Sequence, residues 1–355
     1  MTRIQRLVIA LVLFLAVVIV IALVLPGSND NSPTATALPK PSATKTHVAP
    51  QVTTTPASTL EPGATGLFIE PDDGRAPILD ELASAKISIK LQIYLLSDRE
   101  IIDALKAANN RGVDVRVLLE AHPFGGNGDQ PQIYNELDSA GINIRWSSPV
   151  FTFSHIKTFV IDNDVALVMN LNLTKSSFTR NREFGIITTD PIAVRTAAQI
   201  FEADWARTEE PDPGPLVVSP TNSRAKLLDL INGATGSLDI YAEVMRDREI
   251  MDALIAARRR GVAIRLIMTD DSADGDAERQ KLTDAGVQVR IEQHLYIHAK
   301  MVLADGKRAF VGSENFTATS LDQNRELGVI TSEPTVIARI KQVYNDDFRG
   351  AKVMS

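Results

Sequence analysis

Two segments of the sequence place a histidine, a lysine, an aspartate and an asparagine at the same spacing. The first is FSHIKTFVIDNDVALVMNLN, residues 153–172, and the second is YIHAKMVLADGKRAFVGSEN, residues 296–315. A glutamate follows each histidine by 28 residues. The members of every pair lie 143 positions apart: His155 and His298, Lys157 and Lys300, Asp162 and Asp305, Asn172 and Asn315, Glu183 and Glu326. One His-x-Lys carries little information, but two copies of a five-residue set predict a repeated functional element.

These residue types suit a phosphate ester as ligand. Lysine supplies positive charge, asparagine supplies neutral donors, and histidine accepts or delivers a proton near neutral pH. A carboxylate such as Glu183 or Glu326 on the far ring nitrogen would fix the histidine tautomer and stabilise the imidazolium. Phosphodiester cleavage needs an attacking group and a proton donor for the leaving oxygen, and two histidines in different protonation states can divide those roles.

The elements around the motif are predicted to be strands. The second segment is apolar and β-branched on both sides of Asp305-Gly306, which predicts a β-hairpin. Side chains at positions i and i+2 of a strand share a face. His298 and Lys300 are therefore expected to project together from one strand, as are His155 and Lys157.

The repeat extends upstream of the histidines. SDREIIDALKAANNRGVDVRVLLE, from residue 97, matches RDREIMDALIAARRRGVAIRLIMTD, from residue 246, at an offset of 149. Each copy has the pattern of a β-α-β unit followed by a helix, a strand and the motif. We predict an α/β fold of two tandem domains with mixed sheets, 66–212 and 213–355, related by a pseudo-twofold axis that brings both motifs to one interface cleft.

The N-terminal residues predict a membrane anchor. Arg3 and Arg6 precede nineteen uncharged apolar residues, Leu7 to Leu25, which as a helix would measure about 28 Å, close to the hydrocarbon thickness of a bilayer. A cleaved signal peptide, the alternative, has a shorter apolar region and a small-x-small cleavage site. Residues 1–25 are thus expected to form a single uncleaved span with a cytoplasmic N-terminus and exported catalytic domains. Residues 26–65, rich in Pro, Thr and Ser, are expected to be a disordered stalk.

Composition excludes several kinds of site. The chain has no cysteine, which excludes disulfides, thiol nucleophiles and cysteine-ligated metals. Its formal net charge of −7 gives no general basic surface for nucleic acid. His294 and His298 form an H-x-x-x-H without the glutamate of a zinc helix and in a strand-like setting, so neither a metal nor another cofactor is expected.

HIKTFVID and HAKMVLAD resemble the His-x-Lys-x4-Asp motif of the phospholipase D superfamily, and the second copy continues into that family's Gly-Ser-x-Asn extension. The resemblance covers roughly residues 66–350 and implies a metal-independent double displacement. It implies that His155 is the nucleophile and His298 the general acid and base. The other implied roles are phosphoryl binding for Lys157, Lys300, Asn172 and Asn315, orientation of the histidines for Glu183 and Glu326, and structural support for Asp162, Asp305 and Ser313. The first copy departs from the pattern, with Met169-Asn170 where the second has Gly312-Ser313.

Three functions remain open on the sequence. The first is a membrane-tethered phospholipase D-like hydrolase or phosphatidyl transferase, for which a phospholipid is the substrate. The second is a tethered nuclease that cuts DNA or RNA, since small members of the superfamily do so with the same residues. The third is an inactive phosphate-binding module. Two copies in one chain remove the need for a dimer, so a functional monomer is expected.

Overall fold

The computed structural model describes residues 60–124, 128–270 and 276–354. The predicted anchor over residues 1–25 and most of the predicted stalk lie outside these residues. Within them, no helix combines the length and the apolar character that a membrane span requires.

The first half of the described chain alternates strands and helices in the predicted β-α-β order. Its elements are β1 Thr65–Glu70, α1 Ala76–Ser84, β2 Ser88–Ile93, α2 Arg99–Asn110, β3 Asp114–Leu119, α3 Gln130–Ser139, β4 Asn143–Trp146, β5 Lys157–Ile161, β6 Val165–Met169, α4 Lys175–Thr179, β7 Asn181–Thr188 and α5 Pro191–Ala206.

The second half repeats this order and adds two short strands, β12 and β16. Its elements are β8 Val217–Ser219, α6 Ser223–Asn232, β9 Ser237–Ala242, α7 Arg248–Arg259, β10 Ala263–Thr269, α8 Asp276–Asp284, β11 Gln288–Glu292, β12 Tyr296–Ile297, β13 Met301–Ala304, β14 Arg308–Gly312, α9 Ala318–Asp322, β15 Glu326–Thr331, α10 Pro334–Gly350 and β16 Lys352–Val353. The predicted domain boundary at residues 212–213 falls between α5 and β8.

Each half forms one mixed sheet, as the sequence predicts. The first has the order β1-β7-β6-β5-β2-β3-β4 and the second the order β8-β15-β14-β13-β9-β10-β11-β16. Strands β2, β3 and β4 run parallel, as do β9, β10 and β11. The motif strands pair antiparallel with their neighbours, β5 with β2 and β6, and β13 with β9 and β14. Each motif hairpin therefore lies in the middle of its sheet.

Helices α2 and α7 each begin directly after an aspartate that the repeated sequence supplies as an N-cap. Asp98 accepts a hydrogen bond from the backbone N–H of Ile101, and Asp247 does the same for Ile250. Such caps satisfy backbone donors that have no partner inside a helix. Both helices are strongly amphipathic and bury their apolar faces against the sheets.

Two outer cores belong to one half each, and a central core belongs to both. The central core contains Val160 of the first sheet, Met301 of the second, Ile200 of α5 and Ile340 of α10, all buried. Burial of this apolar surface stabilises the contact between the halves. The central core therefore fixes the position of one motif hairpin relative to the other.

Two buried arginine–aspartate pairs join the halves. Nε of Arg182, in β7, lies 2.7 Å from Oδ2 of Asp347, in α10. Nε of Arg325, just before β15, lies 3.0 Å from Oδ2 of Asp204, in α5. The arginine side chains are only 6% and 1% exposed. Each pair is the counterpart of the other with the halves exchanged, which is the relationship expected of a pseudo-twofold axis.

Candidate active site

The backbone segment in front of each motif strand crosses to the other half. The N–H of His155 donates to the carbonyl of Arg325, with N and O 2.7 Å apart. On the opposite side, β12, which ends one residue before His298, pairs in parallel with β7 at Asn181 and Arg182. The expectation that each histidine lies on the same strand as its lysine is wrong, because β5 begins at Lys157 and β13 only at Met301. The histidine segments hydrogen-bond to the opposite half instead of to their own sheet.

Each histidine is hydrogen-bonded to the glutamate of the opposite half. Nδ1 of His155 lies 2.8 Å from Oε2 of Glu326, and Nδ1 of His298 lies 2.7 Å from Oε2 of Glu183. Both carboxylate side chains are fully buried. With Nδ1–H donating to a carboxylate, Nε2 is the ring nitrogen left to face a substrate.

The two glutamates are themselves held by repeated partners. Oε1 of Glu183 accepts from Nδ2 of Asn181, and Oε1 of Glu326 accepts from Nδ2 of Asn324, both at 2.9 Å. Oε1 of Glu326 also accepts from the hydroxyl of Ser320 at 2.6 Å. Sequence reasoning did not single out these three residues. The two asparagines could have been found, because they begin the repeated Asn-Arg-Glu of NREF and NREL.

The environment of His155 favours a neutral imidazole. Burial lowers the pKa of His155 to about 4, with the charge of Glu326 opposing the shift and that of Lys157 adding to it. Burial likewise lowers the pKa of Lys157 to about 7. The ring of Tyr94 packs edge-to-face against the His155 ring with centroids 4.5 Å apart. Nε2 of His155 therefore has a free lone pair at neutral pH.

The motif lysines fold back on their histidines. Nζ of Lys157 donates to the carbonyl of His155, and Nζ of Lys300 donates to that of His298, both at 2.7 Å. Nζ of Lys157 also lies 4.9 Å from the centre of the Tyr94 ring. Each His-x-Lys is thus a joined unit, in which the lysine charge is held beside the histidine.

Glu243, directly after β9, is a carboxylate that sequence reasoning missed. Its Oε2 lies 2.5 Å from Nζ of Lys300 and 3.6 Å from Nε2 of His298, and Tyr296 donates its hydroxyl hydrogen to Oε1 at 3.1 Å. Burial raises the pKa of Glu243, but the charges of His298 and Lys300 outweigh burial and hold that pKa well below its usual value. At the repeat offset of 149, Glu243 corresponds to Tyr94. An alignment of the two copies therefore shows this carboxylate as a difference between the halves.

The groups of the two halves act on one another electrostatically. The charge of Lys300 contributes to the lowered pKa of His155, and the charge of Glu243 acts on Lys157. Such coupling requires short separations in a poorly solvated place. The two histidines and two lysines therefore lie close together at the contact between the halves.

Asn172 and Asn315 occupy corresponding half-buried places just after β6 and β14. The Oδ1 atom of each is buried and has no hydrogen-bond partner among the described residues. A buried polar atom without a partner costs about 1–3 kcal/mol, and such an atom often marks a place that a ligand completes. An amide turned by 180° would present its N–H donors there instead.

The motif aspartates bind backbone, not the histidines. Both lie at hairpin turns with positive φ, 53° for Asp162 and 54° for Asp305. The Asp162 carboxylate accepts from the N–H groups of residues 86–88 at 2.7–2.8 Å, and that of Asp305 accepts from residues 235–237 at 2.7–3.2 Å. Each aspartate ties its hairpin to the loop in front of β2 or β9.

The departure at Met169-Asn170 preserves a hydrogen bond. Oγ of Ser313 accepts from the N–H of Leu327 at 3.0 Å, and Oδ1 of Asn170 accepts from the corresponding N–H of Phe184 at 2.7 Å. Ser313 and Asn170 therefore connect equivalent strands in the same way. The first half keeps this link between its strands although it has Asn170 in place of a serine.

Comparison with known proteins assigns both halves to one family. The family model "Cardiolipin synthase, PLD-like domain" matches residues 78–205 and again residues 227–348. The cardiolipin synthase of Geobacillus kaustophilus is 26% identical over 339 residues, covering 82% of this chain and 67% of that protein. The mitochondrial cardiolipin hydrolase of Chlamydomonas reinhardtii is 30% identical over 129 residues, covering 36% of this chain and 57% of that protein. The chain spans about two thirds of the length of the cardiolipin synthases it matches.

Two solved structures share the fold. A polyphosphate kinase from Porphyromonas gingivalis has a TM-score of 0.67 at 19% identity, covering 90% of this chain and 52% of that chain. The phosphatidylserine synthase of Haemophilus influenzae has a TM-score of 0.62 at 14% identity, covering 79% and 85%. At these identities the likeness establishes the fold alone. The family match over both halves, with cardiolipin synthases among the relatives, shows that the chain belongs to the phospholipase D superfamily and is a phospholipase D-like phosphodiesterase.

Proposed function

We propose that this chain hydrolyses or transfers the phosphatidyl group of phospholipids by double displacement through a phosphohistidine. The observation that carries the proposal is the reciprocal pairing of His155 with Glu326 and of His298 with Glu183. This pairing leaves two Nε2 atoms, one from each half, for a single phosphodiester.

In the first step His155 is the nucleophile. Its neutral ring attacks phosphorus through Nε2, and the bond from phosphorus to the leaving alcohol breaks. His298 gives its Nε2 proton to the leaving oxygen, so that the alcohol departs neutral. The product is a phosphoryl group bonded to Nε2 of His155, whose Nδ1–H keeps its hydrogen bond to Glu326.

In the second step water or an acceptor alcohol attacks the same phosphorus. Nε2 of His298, now without its proton, takes the proton of the attacking oxygen, and the phosphorus–nitrogen bond to His155 breaks. Lys157, Lys300, Asn172 and Asn315 stabilise the charge on the non-bridging oxygens in both steps. These roles need no metal ion and no cofactor.

The substrate class comes from the relatives. The names of a synthase and of a hydrolase among them both specify cardiolipin, a phospholipid. The predicted anchor over residues 1–25 would hold the site at a lipid surface, with the catalytic domains exported, and the site is complete in one chain. The net charge of −7 is less suited to nucleic acid, whose binding relies on phosphate neutralisation by basic residues.

The test uses the full chain, purified in detergent and assayed with chelator present. It is offered phosphatidylglycerol and cardiolipin in mixed micelles, and separately single- and double-stranded DNA and RNA. Head-group release or phosphatidyl transfer supports the proposal, and both His155→Ala and His298→Ala should abolish it. Fragmentation of nucleic acid without lipid turnover would establish a nuclease, and binding of diesters without turnover would establish a phosphate-binding module. Activity lost with chelator would overturn the metal-free scheme.

A further inference from the structure

The two halves differ in the residue that lies beside each histidine ring. The residues that contact the histidines correspond between the halves: each ring has a glutamate on Nδ1 and a lysine bound to its own carbonyl. Directly after the first strand of each β-α-β unit, however, the first half has Tyr94 and the second has Glu243. A neutral aromatic ring thus faces one histidine and a carboxylate faces the other.

Two carboxylates lie against the ring of His298. Glu183 accepts from Nδ1, and Oε2 of Glu243 lies 3.6 Å from Nε2. Lys300 opposes them, but its ammonium lies 2.5 Å from the same Glu243 oxygen, which compensates its charge. Tyr296 stacks on the ring and donates to Glu243, so it brings no charge. Two carboxylates and one compensated cation therefore surround His298.

The groups around His155 favour a neutral ring. Glu326 is the one carboxylate hydrogen-bonded to it. Lys157 donates to the carbonyl of His155, and the charge of Lys300 contributes to the lowered pKa of His155. Tyr94 covers the ring, and burial raises the pKa of Tyr94 to about 12, so the phenol carries no charge. Among the described residues, the carboxylate paired with His155 is Glu326 alone, whereas His298 is paired with both Glu183 and Glu243.

We propose that Glu243 is a positioning residue that keeps His298 protonated in the resting enzyme, and that the exchange of Tyr94 for Glu243 between the halves makes His298 the acid and His155 the nucleophile. The inference rests on the proposed function, which needs two histidines in different protonation states but does not say what distinguishes them. Glu243 distinguishes the two histidines because it places a negative charge beside Nε2 of His298, the atom that must carry the proton.

A second consequence concerns substrate binding. Glu243 holds a negative charge where an anionic diester has to approach Lys300, so it opposes binding when His298 is neutral. The proton on His298 compensates that charge. Diester binding and protonation of His298 therefore favour one another, and the enzyme–substrate complex forms with the proton already in place for the leaving oxygen.

The test measures kcat/KM against pH for Glu243→Gln, a substitution of nearly the same shape without the charge. Two substrates are used, a phosphatidyl ester of an alkyl alcohol and one of p-nitrophenol, whose leaving oxygen needs no proton. An opposite charge at this separation typically changes a proton affinity by at least about tenfold. We expect the alkaline limb for the alkyl ester to move at least one pH unit lower, with a loss of about tenfold or more at pH values well above the wild-type limb, and less than about threefold loss for the p-nitrophenyl ester.

Glu120→Gln is the matched control. Glu120 is also a buried carboxylate near the site, but it accepts hydrogen bonds from the backbone N–H groups of His122 and Ser154 and from the hydroxyl of Ser147. Its loss should affect both esters equally and leave the alkaline limb in place. If Glu243→Gln behaves in the same way, or keeps the wild-type alkaline limb, the inference is overturned.

Quenching in denaturant at alkaline pH, where the phosphorus–nitrogen bond survives, and peptide mapping of the intermediate separate this inference from the proposed function. Wild-type enzyme should carry the phosphoryl group on His155, and the exchange variant Tyr94→Glu/Glu243→Tyr should carry it on His298. Absence of phosphohistidine in turning-over wild-type enzyme would contradict the proposed function itself. Phosphohistidine that stays on His155 in a folded exchange variant would contradict only the role of Glu243.

Discussion

The imidazole of His155 is held by Glu326, a carboxylate from the opposite half of the chain, with Nδ1 and Oε2 2.8 Å apart. Glu183, which follows His155 by 28 residues in the sequence, instead holds His298. Neither half contains a histidine together with the carboxylate that orients it. Each histidine therefore depends on the opposite half for the carboxylate on its Nδ1, and under the proposed mechanism each glutamate supports the chemistry of the other half's histidine.

The pairing of each histidine with the other half's glutamate predicts which glutamate supports nucleophilic attack and which supports protonation of the leaving oxygen. Glu326→Gln should impair attack by His155, and Glu183→Gln should impair protonation by His298, each by about 10²–10⁴-fold with an alkyl leaving group. With a p-nitrophenyl ester, whose leaving group needs no proton, Glu183→Gln should recover most of its activity and Glu326→Gln should not. The measurement is kcat/KM of both variants on both esters.

His155→Ala and His298→Ala provide the reference for that comparison. Glu326→Gln should share the leaving-group dependence of His155→Ala, and Glu183→Gln that of His298→Ala. The opposite match, in which each glutamate follows the histidine of its own half, would contradict the cross-half pairing in solution.

The buried imidazole of His155 predicts an unusually low acid limb in the pH profile. Because burial lowers the pKa of His155 to about 4, the proposed nucleophile stays neutral above that pH and is lost to protonation below it. We expect kcat/KM to remain level down to about pH 4 and then to fall about tenfold per pH unit. Circular dichroism in the same buffers distinguishes titration from unfolding. An acid limb near pH 6.5, the ordinary value for histidine, would show that the ring is solvated.

The sequence predicts much of this arrangement because the repeat encodes it twice. The five matched pairs identify His155 and His298, and a structural role is expected for Asp162, whose bonds to the backbone are seen only in the structure. The partner of each histidine does not follow from spacing, since the contact depends on how the two sheets pack over their shared core. Glu243 was overlooked because it lies at the end of an apolar strand, where a single charge looks like the edge of the element.

The arginine–aspartate pairs between the halves predict a large loss of stability when one partner is removed. Arg325→Met leaves Asp204 buried without its cation, and the expected loss is about 3–5 kcal/mol in the free energy of unfolding. Arg248→Gln is the control, since that side chain is 90% exposed and its loss should stay within about 0.5 kcal/mol. Urea unfolding of the full chain in detergent measures both. A loss below about 1 kcal/mol for Arg325→Met would show that the pair does not stabilise the contact between the halves.

Adding Asp204→Asn to Arg325→Met tests the same contact from the other side. Once the arginine is gone, neutralising the aspartate should restore part of the stability, because only Glu210, the more exposed of the two carboxylates paired with Arg325, then keeps an unpaired charge. Equal and additive losses from the two substitutions would contradict a direct interaction.

Glu70 lies on β1 opposite Glu183 on β7, which orients His298. Its side chain is fully buried, and neither carboxyl oxygen has a hydrogen-bond partner among the described residues. Burial, with the charges of Asp73 and Glu183, raises the pKa of Glu70 from 4.5 to about 9. The folded protein therefore keeps this carboxyl neutral at pH values where the unfolded chain ionises it.

Replacing Glu70 with Gln should consequently stabilise the protein in a pH-dependent way. Below pH 4.5 the carboxyl is neutral in both states, so wild type and variant should be similar. Between pH 4.5 and about 9 the folded state binds more protons than the unfolded state, and wild-type stability falls relative to the variant by up to about 1.4 kcal/mol per pH unit. Thermal unfolding at pH 4.5, 6.5 and 8.5 should show the Tm difference growing with pH, by roughly 2–4 °C per kcal/mol. The exposed Glu209→Gln should show no such trend, and a Tm difference for Glu70→Gln that stays constant with pH would mean that Glu70 is ionised in the folded protein.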